Sequence, residues 1–191
     1  TSGYARVVKE WKRGTPMASA RTVYEVQSTD MAVGAARDHT KGFERDFAYR
    51  ALAFYNNEMF VIGKDGALTK IDAPNSANKS VHRQFLLLQL RDPWTVGGKT
   101  YPSGALISTD FDTFMAGGRD FTVLFAPTDN LILSDFTWTR SHLLLNLLED
   151  VKSRVQVLTP GTDGSWARAP LVGMPAFGSV DVWAVDDEDS D

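Results

Sequence analysis

The sequence predicts an all-β fold, a partial β-propeller with about three four-stranded blades plus half a blade. Short runs rich in β-branched and aromatic residues alternate with turn residues along the chain, and long helical periodicity is missing. Two stretches, 6–24 and 105–124, also repeat one unit: a strand, a link containing Met-Ala-x-x-Arg, and a second strand through Thr-Val. Such a repeat is typical of architectures in which stacked units bury apolar faces that no single unit can bury alone.

The third observation is the spacing of the predicted strand sets, which begin at Met31, Ser80, Ser134 and Val180. These starts are 49, 54 and 46 residues apart, close to the ~40–50 residues of a four-stranded blade. The spacing predicts a half blade over 1–27, blades over about 31–73, 80–126 and 134–171, an opening strand over 180–185, and an acidic linker or loop over 186–191.

Within these sets the individual strands follow from the β-rich runs and the turn residues between them. The predicted strands, in chain order, lie at 6–11, 22–26, 31–37, 47–55, 59–62, 68–72, 80–83, 84–90, 105–110, 122–125, 134–139, 142–148, 154–158, 166–170 and 180–185. Asp65-Gly66, Gly97-Gly98 and Asp163-Gly164 tolerate the positive φ of tight turns, so each predicts a hairpin.

A β-sandwich is the alternative for such a strand list, because it also has regularly spaced short strands. Two observations favour the propeller. The links containing Met17 and Met115 fall at equivalent places in two blades, which a sandwich has no reason to produce. The runs 85–88 and 143–145 are apolar on both sides, as strands covered on both faces must be.

The composition excludes several classes of protein and site. The 191 residues include no cysteine, which excludes disulfides, zinc-thiolate sites and thiol catalysis. No apolar run approaches the ~20 residues of a membrane-spanning helix, and no secretory leader opens the chain. No basic surface for nucleic acid is indicated either, so we expect neither nucleic acid nor membrane as a partner. Compartment is not readable from the sequence, with a cytoplasmic location slightly favoured.

The two ends of the chain carry expectations of their own. The sequence starts at Thr1 without an initiator methionine and enters a strand at once, so we expect a piece of a longer protein. Five acidic residues lie in 186–191, and we interpret this segment as solvated.

Several stretches resemble catalytic or binding motifs but have a simpler interpretation. The run 96–100 (Val-Gly-Gly-Lys-Thr) resembles the end of a phosphate-binding loop, but Pro93 stands where its first glycine should be, so we predict a hairpin turn. Ser165 follows a glycine without forming G-x-S-x-G, which argues against a serine nucleophile. Glu149 and Asp150 are adjacent turn residues rather than a catalytic pair with a defined separation.

Histidines and tryptophans are expected to be structural. His39, His82 and His142 lie in different segments without the i,i+3 or i,i+4 spacing of a local metal site. The polar stretch 38–46 is explained by a loop network of hydrogen bonds and ion pairs. We expect packing rather than sugar binding for Trp11, Trp94, Trp138, Trp166 and Trp183. The residues therefore predict no catalytic, cofactor-binding or metal-binding side chain, and no cofactor.

Four strings carry a resemblance to a known family. They are 39–46 (His-Thr-Lys-Gly-Phe-Glu-Arg-Asp), 79–83 (Lys-Ser-Val-His-Arg), 94–102 (Trp-Thr-Val-Gly-Gly-Lys-Thr-Tyr-Pro) and 150–154 (Asp-Val-Lys-Ser-Arg). Together they resemble the amino-terminal β-propeller domain of bacterial members of the prolyl oligopeptidase family of serine peptidases, over nearly the whole chain.

The resemblance implies part of a seven-bladed propeller that sits on an α/β-hydrolase domain carrying Ser, Asp and His. Enzymes of this kind cleave short peptides, typically after proline, and the propeller acts as a filter. No position of this chain matches a catalytic motif, so we expect the chain alone to be inactive and its role to be gating the access of short peptides to a hydrolase domain not present in it.

A second hypothesis is a free-standing propeller-type module that binds peptide or carbohydrate, with Trp94 or Trp138 in a surface groove. Three blades plus half a blade cannot close a ring, so sheet faces and strand edges would be left open. We therefore also expect self-association.

Overall fold

The computed structural model describes residues 3–175 and 178–191, of which 48% are in strands and 4% in helices. The strands are β1 (Val7–Glu10), β2 (Arg21–Glu25), β3 (Ala32–Asp38), β4 (Arg45–Ala53), β5 (Asn56–Ile62), β6 (Leu68–Lys70), β7 (Asn78–His82), β8 (Phe85–Gln89), β9 (Trp94–Val96), β10 (Lys99–Tyr101), β11 (Leu106–Asp110), β12 (Thr122–Phe125), β13 (Leu131–Trp138), β14 (Leu143–Glu149), β15 (Lys152–Pro160) and β16 (Trp166–Pro170). One short helix, α1 (Phe111–Met115), and a 3-10 turn (Met17–Ser19) complete the described elements. Neither is long and apolar enough to cross a membrane.

The strands form antiparallel sheets whose members follow one another in the chain. The first sheet pairs β1 with β2, the second has the order β3-β4-β5-β6, the third β7-β8-β11-β12, and the fourth β13-β14-β15-β16. The hairpin β9-β10 is inserted between the second and third strands of the third sheet. Successive four-stranded antiparallel sheets are the blades of a propeller, so the predicted fold class is confirmed.

Two apolar cores hold the sheets against each other. Phe47 and Met59 of the second sheet pack in one cluster with Leu86 and Leu88 of the third. Leu87 points to the opposite side and joins a cluster with the leucines of β14. Because successive side chains of a strand point to opposite faces, the apolar run of β8 is buried on both sides, as the sequence predicted.

The repeated unit forms a similar strand-link-strand structure twice, with a different helical turn in each link. The 3-10 turn joins β1 to β2, and α1 joins β11 to β12, the third and fourth strands of their sheet. Helix α1 begins because the Asp110 side chain accepts a hydrogen bond of 2.7 Å from the Thr113 backbone N–H. The sequence indicated the link but not this helix.

The predicted hairpin at Gly97-Gly98 is present between β9 and β10. Both glycines have positive φ, 58° and 74°. A Cβ on Gly97 would lie 2.9 Å from the Arg119 carbonyl oxygen, so the close approach of a neighbouring backbone also requires glycine there.

Some predicted boundaries were wrong. Residues 83 and 84 form a tight turn between β7 and β8, with Arg83 at a φ of 50°, instead of belonging to strands. The fourth sheet starts at Leu131 rather than at Ser134. Residues 1 and 2 of the predicted half blade lie outside the described residues.

The expected opening strand at 180–185 does not form a strand. Its contacts with the fourth sheet are made by side chains instead of a backbone ladder. The Asn146 carboxamide donates to the Val182 carbonyl at 2.8 Å and accepts from the Val182 N–H at 3.0 Å. The Ser153 hydroxyl accepts from the Val180 N–H at 2.9 Å.

Candidate functional site

Turns and crossovers alternate between two edges of the stacked sheets, because neighbouring strands run antiparallel. One edge, the crossover edge, carries the turns between second and third strands and the crossovers between sheets. The other, the arginine edge, carries the turns between first and second strands, where Arg45, Arg83 and Arg140 lie. The charged groups and cavities of these two edges are the candidate binding surfaces.

A compact ionic cluster lies at the crossover edge of the second sheet. Asp30 accepts two hydrogen bonds from Arg50, at 2.9 and 3.2 Å. Glu58 lies 3.5 Å from Arg50 and 2.7 Å from Lys70. The hydrogen bond from Arg50 lowers the pKa of the Asp30 carboxyl, and the one from Lys70 lowers the pKa of Glu58. These four side chains pair two cations with two carboxylates.

Lys79, at the start of the third sheet, adds a fifth charge beside this cluster. Its ammonium donates to the Asn57 carbonyl at 3.2 Å, the Asn57 side-chain oxygen at 3.0 Å and the Ala77 carbonyl at 3.0 Å. Among the described residues it has no carboxylate within ion-pair distance. Burial lowers the pKa of Lys79 to about 8, because a charged amine loses hydration in an enclosed site.

Two cavities meet at this edge and share Asn57 and Asn78 in their walls. The inner one, of about 420 Å³, lies between the second and third sheets and is lined by Arg50 and Lys79 among others. The outer one, of about 360 Å³, reaches the turn between β4 and β5. We call the two together the crossover groove.

An exposed aromatic pair forms the outer wall of the crossover groove. Phe54 and Tyr55 occupy the turn between β4 and β5, and their exposed fractions are 86% and 61%. The Arg91 guanidinium lies 3.3 Å from the centre of the Tyr55 ring, a cation–π contact. Large apolar side chains at a turn tip are costly to hydrate, so their exposure beside a cavity is typical of a binding surface.

The arginine edge is held by side-chain to backbone bonds between successive sheets. Arg45 donates to the Arg83 carbonyl at 2.6 Å, and Arg83 donates to the Arg140 carbonyl at 2.7 Å. The backbone N–H of Arg140 in turn donates to the Ser190 carbonyl at 2.9 Å. Each bond joins one sheet or segment to the next along the chain.

The acidic segment 186–191 is a largely exposed loop, and several of its side chains contact this edge. Glu188 accepts from the Thr40 hydroxyl at 2.8 Å and lies 3.8 Å from Arg83. Asp191 accepts from Thr139 and from the Ser141 N–H. Although burial acts to raise it, hydrogen bonds from residues 139–141 lower the pKa of Asp191 to about 2. The segment is a loop that spans three sheets.

The serine and histidines considered from the sequence are far from forming a catalytic set. The Ser165 hydroxyl donates to Asp163 at 2.6 Å within its own turn. His142 shares a hydrogen bond of 2.8 Å with Thr159. His82 is buried and stacks on Trp138 with 4.4 Å between ring centres. Burial and the nearby Arg83 charge lower the pKa of His82. In residues 3–175 and 178–191 no hydrogen bond joins a serine hydroxyl to a histidine.

The remaining polar candidates have structural partners. In the stretch 38–46, Asp38 accepts from the Thr40 N–H at 2.9 Å, as a loop network requires. Glu149 pairs with Arg154 at 3.0 Å across its hairpin. Within the described residues no group of three or more histidine, aspartate and glutamate side chains is arranged to hold a metal ion.

Three of the five tryptophans pack against other rings. Trp138 stacks between His82 and Phe85, and Trp166 lies 5.0 Å from Phe85 between ring centres. Trp94 packs edge-on against Phe121. Neither Trp94 nor Trp138 is an open platform for a ligand, whereas Trp183 is exposed.

Sequence reasoning did not single out the crossover groove. Lys79 was noticed only as part of a string that carries the family resemblance, and Phe54 and Tyr55 only as the end of a predicted strand. The available signal was the pair of large aromatic side chains directly before Asn56 and Asn57, since asparagines are typical of turns.

The stacked antiparallel sheets with their short links define a segment of a β-propeller. No protein-family model matches the chain. An uncharacterized peptidase of Sinorhizobium fredii is 28% identical over 197 residues, an alignment that covers 98% of this chain and 27% of the relative.

Two solved structures share the fold. A post-proline cleaving enzyme from Rickettsia typhi superposes with a TM-score of 0.81 at 22% identity, covering 92% of this chain and 26% of that one. Oligopeptidase B from Trypanosoma brucei gives a TM-score of 0.63 at 15% identity, covering 92% of this chain and 25% of that one. The family resemblance is therefore confirmed: the chain is a propeller segment like the amino-terminal one of prolyl oligopeptidase-family peptidases. It spans about a quarter of the length of each of these proteins.

Proposed function

We propose that the chain is a non-catalytic propeller segment of a prolyl oligopeptidase-like serine peptidase, which gates the access of short peptides to a hydrolase domain outside this chain. The observation that carries the proposal is the TM-score of 0.81 to a post-proline cleaving enzyme, together with 28% identity to a peptidase that is several times longer than the match. The separate bonding of Ser165 and His142 supports a catalytic set held elsewhere.

The division into blades belongs to this proposal. The second, third and fourth sheets correspond to the blades at about 31–73, 80–126 and 134–171. The first sheet, β1 and β2, corresponds to the half blade at 1–27. The segment 180–185, which does not form a strand, lies beside the fourth sheet and is bonded to β14 through Asn146.

The catalytic part of the proposal is tested by incubating the 191-residue chain with a chromogenic peptide containing proline. We expect no hydrolysis. Turnover that a serine-directed inhibitor abolishes would contradict the proposal, because it would place the nucleophile in this chain.

The gating part is tested in the full-length parent protein with two peptides that share one scissile sequence but differ in length. Arg83 joins the third and fourth sheets through the Arg140 carbonyl, so Arg83→Ala is expected to loosen the spacing of the sheets at that edge. Cleavage of the long peptide should then rise relative to the short one. Arg37→Ala is the matched control, since Arg37 pairs with Asp46 inside the second sheet. An unchanged ratio for Arg83→Ala would contradict gating through the spacing of the sheets.

We also propose that the chain associates with a second copy of itself. Ile132, Trp183 and Val185 are exposed at the fourth sheet and the segment beside it, where the next blade of a propeller would pack. Light scattering at rising concentration should show dimers, and Trp183→Ser should weaken them. Val151→Ser, at an exposed turn, is the control. A strictly monomeric chain would contradict the proposal.

A further inference from the structure

We propose that the crossover groove binds the carboxyl-terminal end of a short peptide, with the terminal carboxylate at Lys79 and the preceding residue against Phe54 and Tyr55. The inference deepens the proposed function, since it assigns a peptide-binding site to the propeller segment itself. It rests on an uneven distribution of charge, on an exposed aromatic wall and on the size of the groove.

The groove has an excess of positive charge at both of its ends. Arg50 is neutralised by Asp30 and Glu58, and Lys70 by Glu58. Lys79, in contrast, is bonded only to neutral oxygens. Within the part of the chain that the structure describes, Arg91 also makes no ion pair and contacts the face of Tyr55. A half-buried ammonium bonded only to neutral groups is stabilised further by an anion, because charge-assisted hydrogen bonds are the stronger kind.

A ligand carboxylate can reach Lys79 by replacing the one acceptor that belongs to a side chain. An ammonium has three N–H donors, and the Asn57 side chain supplies one of the three acceptors, at 3.0 Å. Asn57 also lines both halves of the groove. Rotation of this one carboxamide therefore frees a donor toward the cavity without breaking the bonds to the two backbone carbonyls.

The aromatic wall selects a peptide over a free anion. Phe54 and Tyr55 offer ring faces beside the outer cavity, and aromatic rings bury a large area when a side chain packs on them. The equivalent turn of the fourth sheet holds Asp150 and Val151 instead, so the aromatic pair is particular to this turn. Arg91 stacks on the Tyr55 ring in the same wall, and a stacked guanidinium keeps N–H donors in its plane that a peptide carbonyl can accept from.

The size of the groove fits a segment of a few residues. Its two halves have volumes of about 420 and 360 Å³, within the range of pockets that bind small ligands. The inner half lies at the starts of β3 and β7, the first strands of their sheets, and the outer half lies between the turn that joins β4 to β5 and the end of β8. A peptide bound there lies between two blades.

Binding should depend on pH through Lys79. The charged and titratable groups around it are Glu58, Lys70 and Arg50 of the ionic cluster and Tyr49 in the cavity wall. Lys79 has a pKa of about 8, so it carries its charge at neutral pH and loses it as the pH rises above that value. An anion at Lys79 favours the charged form, so affinity falls on the alkaline side.

The test is isothermal titration calorimetry of the 191-residue chain with the tripeptide Gly-Phe-Ala, as the free acid and as the carboxyl-terminal amide. We expect the free acid to bind about tenfold tighter or more, the effect of a hydrogen-bonded charge. Lys79→Met should abolish this preference for the acid, and Phe54→Ser should weaken the binding of both peptides. The matched controls Lys64→Met and Val151→Ser, at exposed turns, should leave both unchanged. Circular dichroism establishes that each variant is folded.

Three results would overturn the inference. Equal affinities of the acid and the amide would show that Lys79 does not bind the carboxylate. An affinity for acetate equal to that for the tripeptide would show that the groove binds anions and not peptides. If Lys64→Met lowered the affinity for the acid as much as Lys79→Met, the effect would be one of general charge. Raising the pH from about 7 to about 9 should lower the ratio of acid affinity to amide affinity in the wild type and not in Lys79→Met, since the amino group that titrates in this range is common to both peptides. None of these results depends on whether a hydrolase domain exists or on the size of cleaved peptides, which test the proposed function separately.

Discussion

The two links that share Met-Ala-x-x-Arg, 11–20 and 111–121, have the same sequence pattern and very different surroundings. In the first, Met17 has an exposed fraction of 71% and the 3-10 turn has no buried residue. In the second, Phe114 has an exposed fraction of 1% and packs in the core shared by the second and third sheets. The shared pattern gives the chain a similar local path in both links. Packing against the neighbouring sheet determines how much each link contributes to the free energy of folding.

The equivalent arginines show the same contrast. Arg21 forms an exposed pair with Glu10 at 2.6 Å. Arg119 donates to the Phe114 and Gly118 carbonyls at 2.9 and 2.7 Å and lies 4.2 Å from the centre of the Phe114 ring. One arginine is a surface residue of a strand pair, and the other closes the C-terminal end of a helical link.

The largest expected difference between the links concerns their aromatic residues. Phe114→Ala should lower the free energy of unfolding by about 3–5 kcal/mol, the cost of a cavity in a packed core. Trp11→Ala in the first link should cost about 1 kcal/mol or less, because Trp11 is exposed and makes one hydrogen bond, to the Thr15 carbonyl. Urea unfolding followed by tryptophan fluorescence and circular dichroism measures both. Equal costs would show that the first link is as well packed as the second.

Substitution of the two arginines should give the second largest difference in the free energy of unfolding. Arg119→Ala is expected to cost about 1.5–3 kcal/mol, since two carbonyls lose a charged donor. Arg21→Ala should cost at most about 1 kcal/mol, as exposed ion pairs do. Arg119→Lys should restore little of the loss, because an ammonium lacks the planar fork that reaches both carbonyls and stacks on Phe114. Full rescue by lysine would mean that charge alone matters at this position.

The start of the second link provides a smaller effect. Asp110→Ala should cost about 0.5–2 kcal/mol, because the Thr113 N–H loses its acceptor at the first turn of α1. Asp110→Asn should be nearly neutral, as asparagine caps equally well. Asp112→Ala, two residues later, is the control in the same urea titration, because the Asp112 side chain is largely exposed and its ion pair with Arg45, at 3.5 Å, is at the surface. A cost for Asp110→Asn as large as that for alanine would assign the effect to charge instead of capping.

The two methionines of the shared motif should show the smallest difference in the free energy of unfolding on substitution. Met115 is half-buried against the core, so Met115→Ala should cost about 1 kcal/mol. Met17→Ala should stay within about 0.5 kcal/mol, as exposed substitutions do. Thermal unfolding of the two variants side by side gives the difference, and a Met17→Ala loss as large as that of Met115→Ala would indicate that another surface covers Met17.

Patterns within a strand were enough to predict most of the fold. The runs that include Leu87 and Leu145 are apolar at successive positions, which already requires cover on both faces. The prediction of a strand at 180–185 was wrong, because the pattern within a segment does not show whether a neighbouring strand is present. These residues suit a strand, but a strand also needs a neighbour, and the bonds from Asn146 satisfy Val182 without one.

The candidate site could not be predicted because its members are far apart in the chain. Phe54, Lys79 and Arg91 come from three different elements, and only the packing of the second sheet on the third brings them to one groove. The contacts of the acidic segment could not be predicted either, since Glu188 accepts a hydrogen bond from Thr40, which is 148 residues away in the sequence. Composition indicated only that the segment is polar.

The hydrogen bonds along the arginine edge have a consequence for tolerance to mutation. Between the sheets the acceptors are the main-chain carbonyls of Arg83 and Arg140, so replacing Arg83 removes its bond to Arg140 but keeps the carbonyl that receives Arg45. A substitution of Arg83 therefore deletes the contacts of its own side chain and leaves the bond from Arg45 intact. Damage therefore stays at one blade boundary: loss of the Arg83 side chain loosens the third and fourth sheets at this edge, while the second and third sheets remain joined through Arg45.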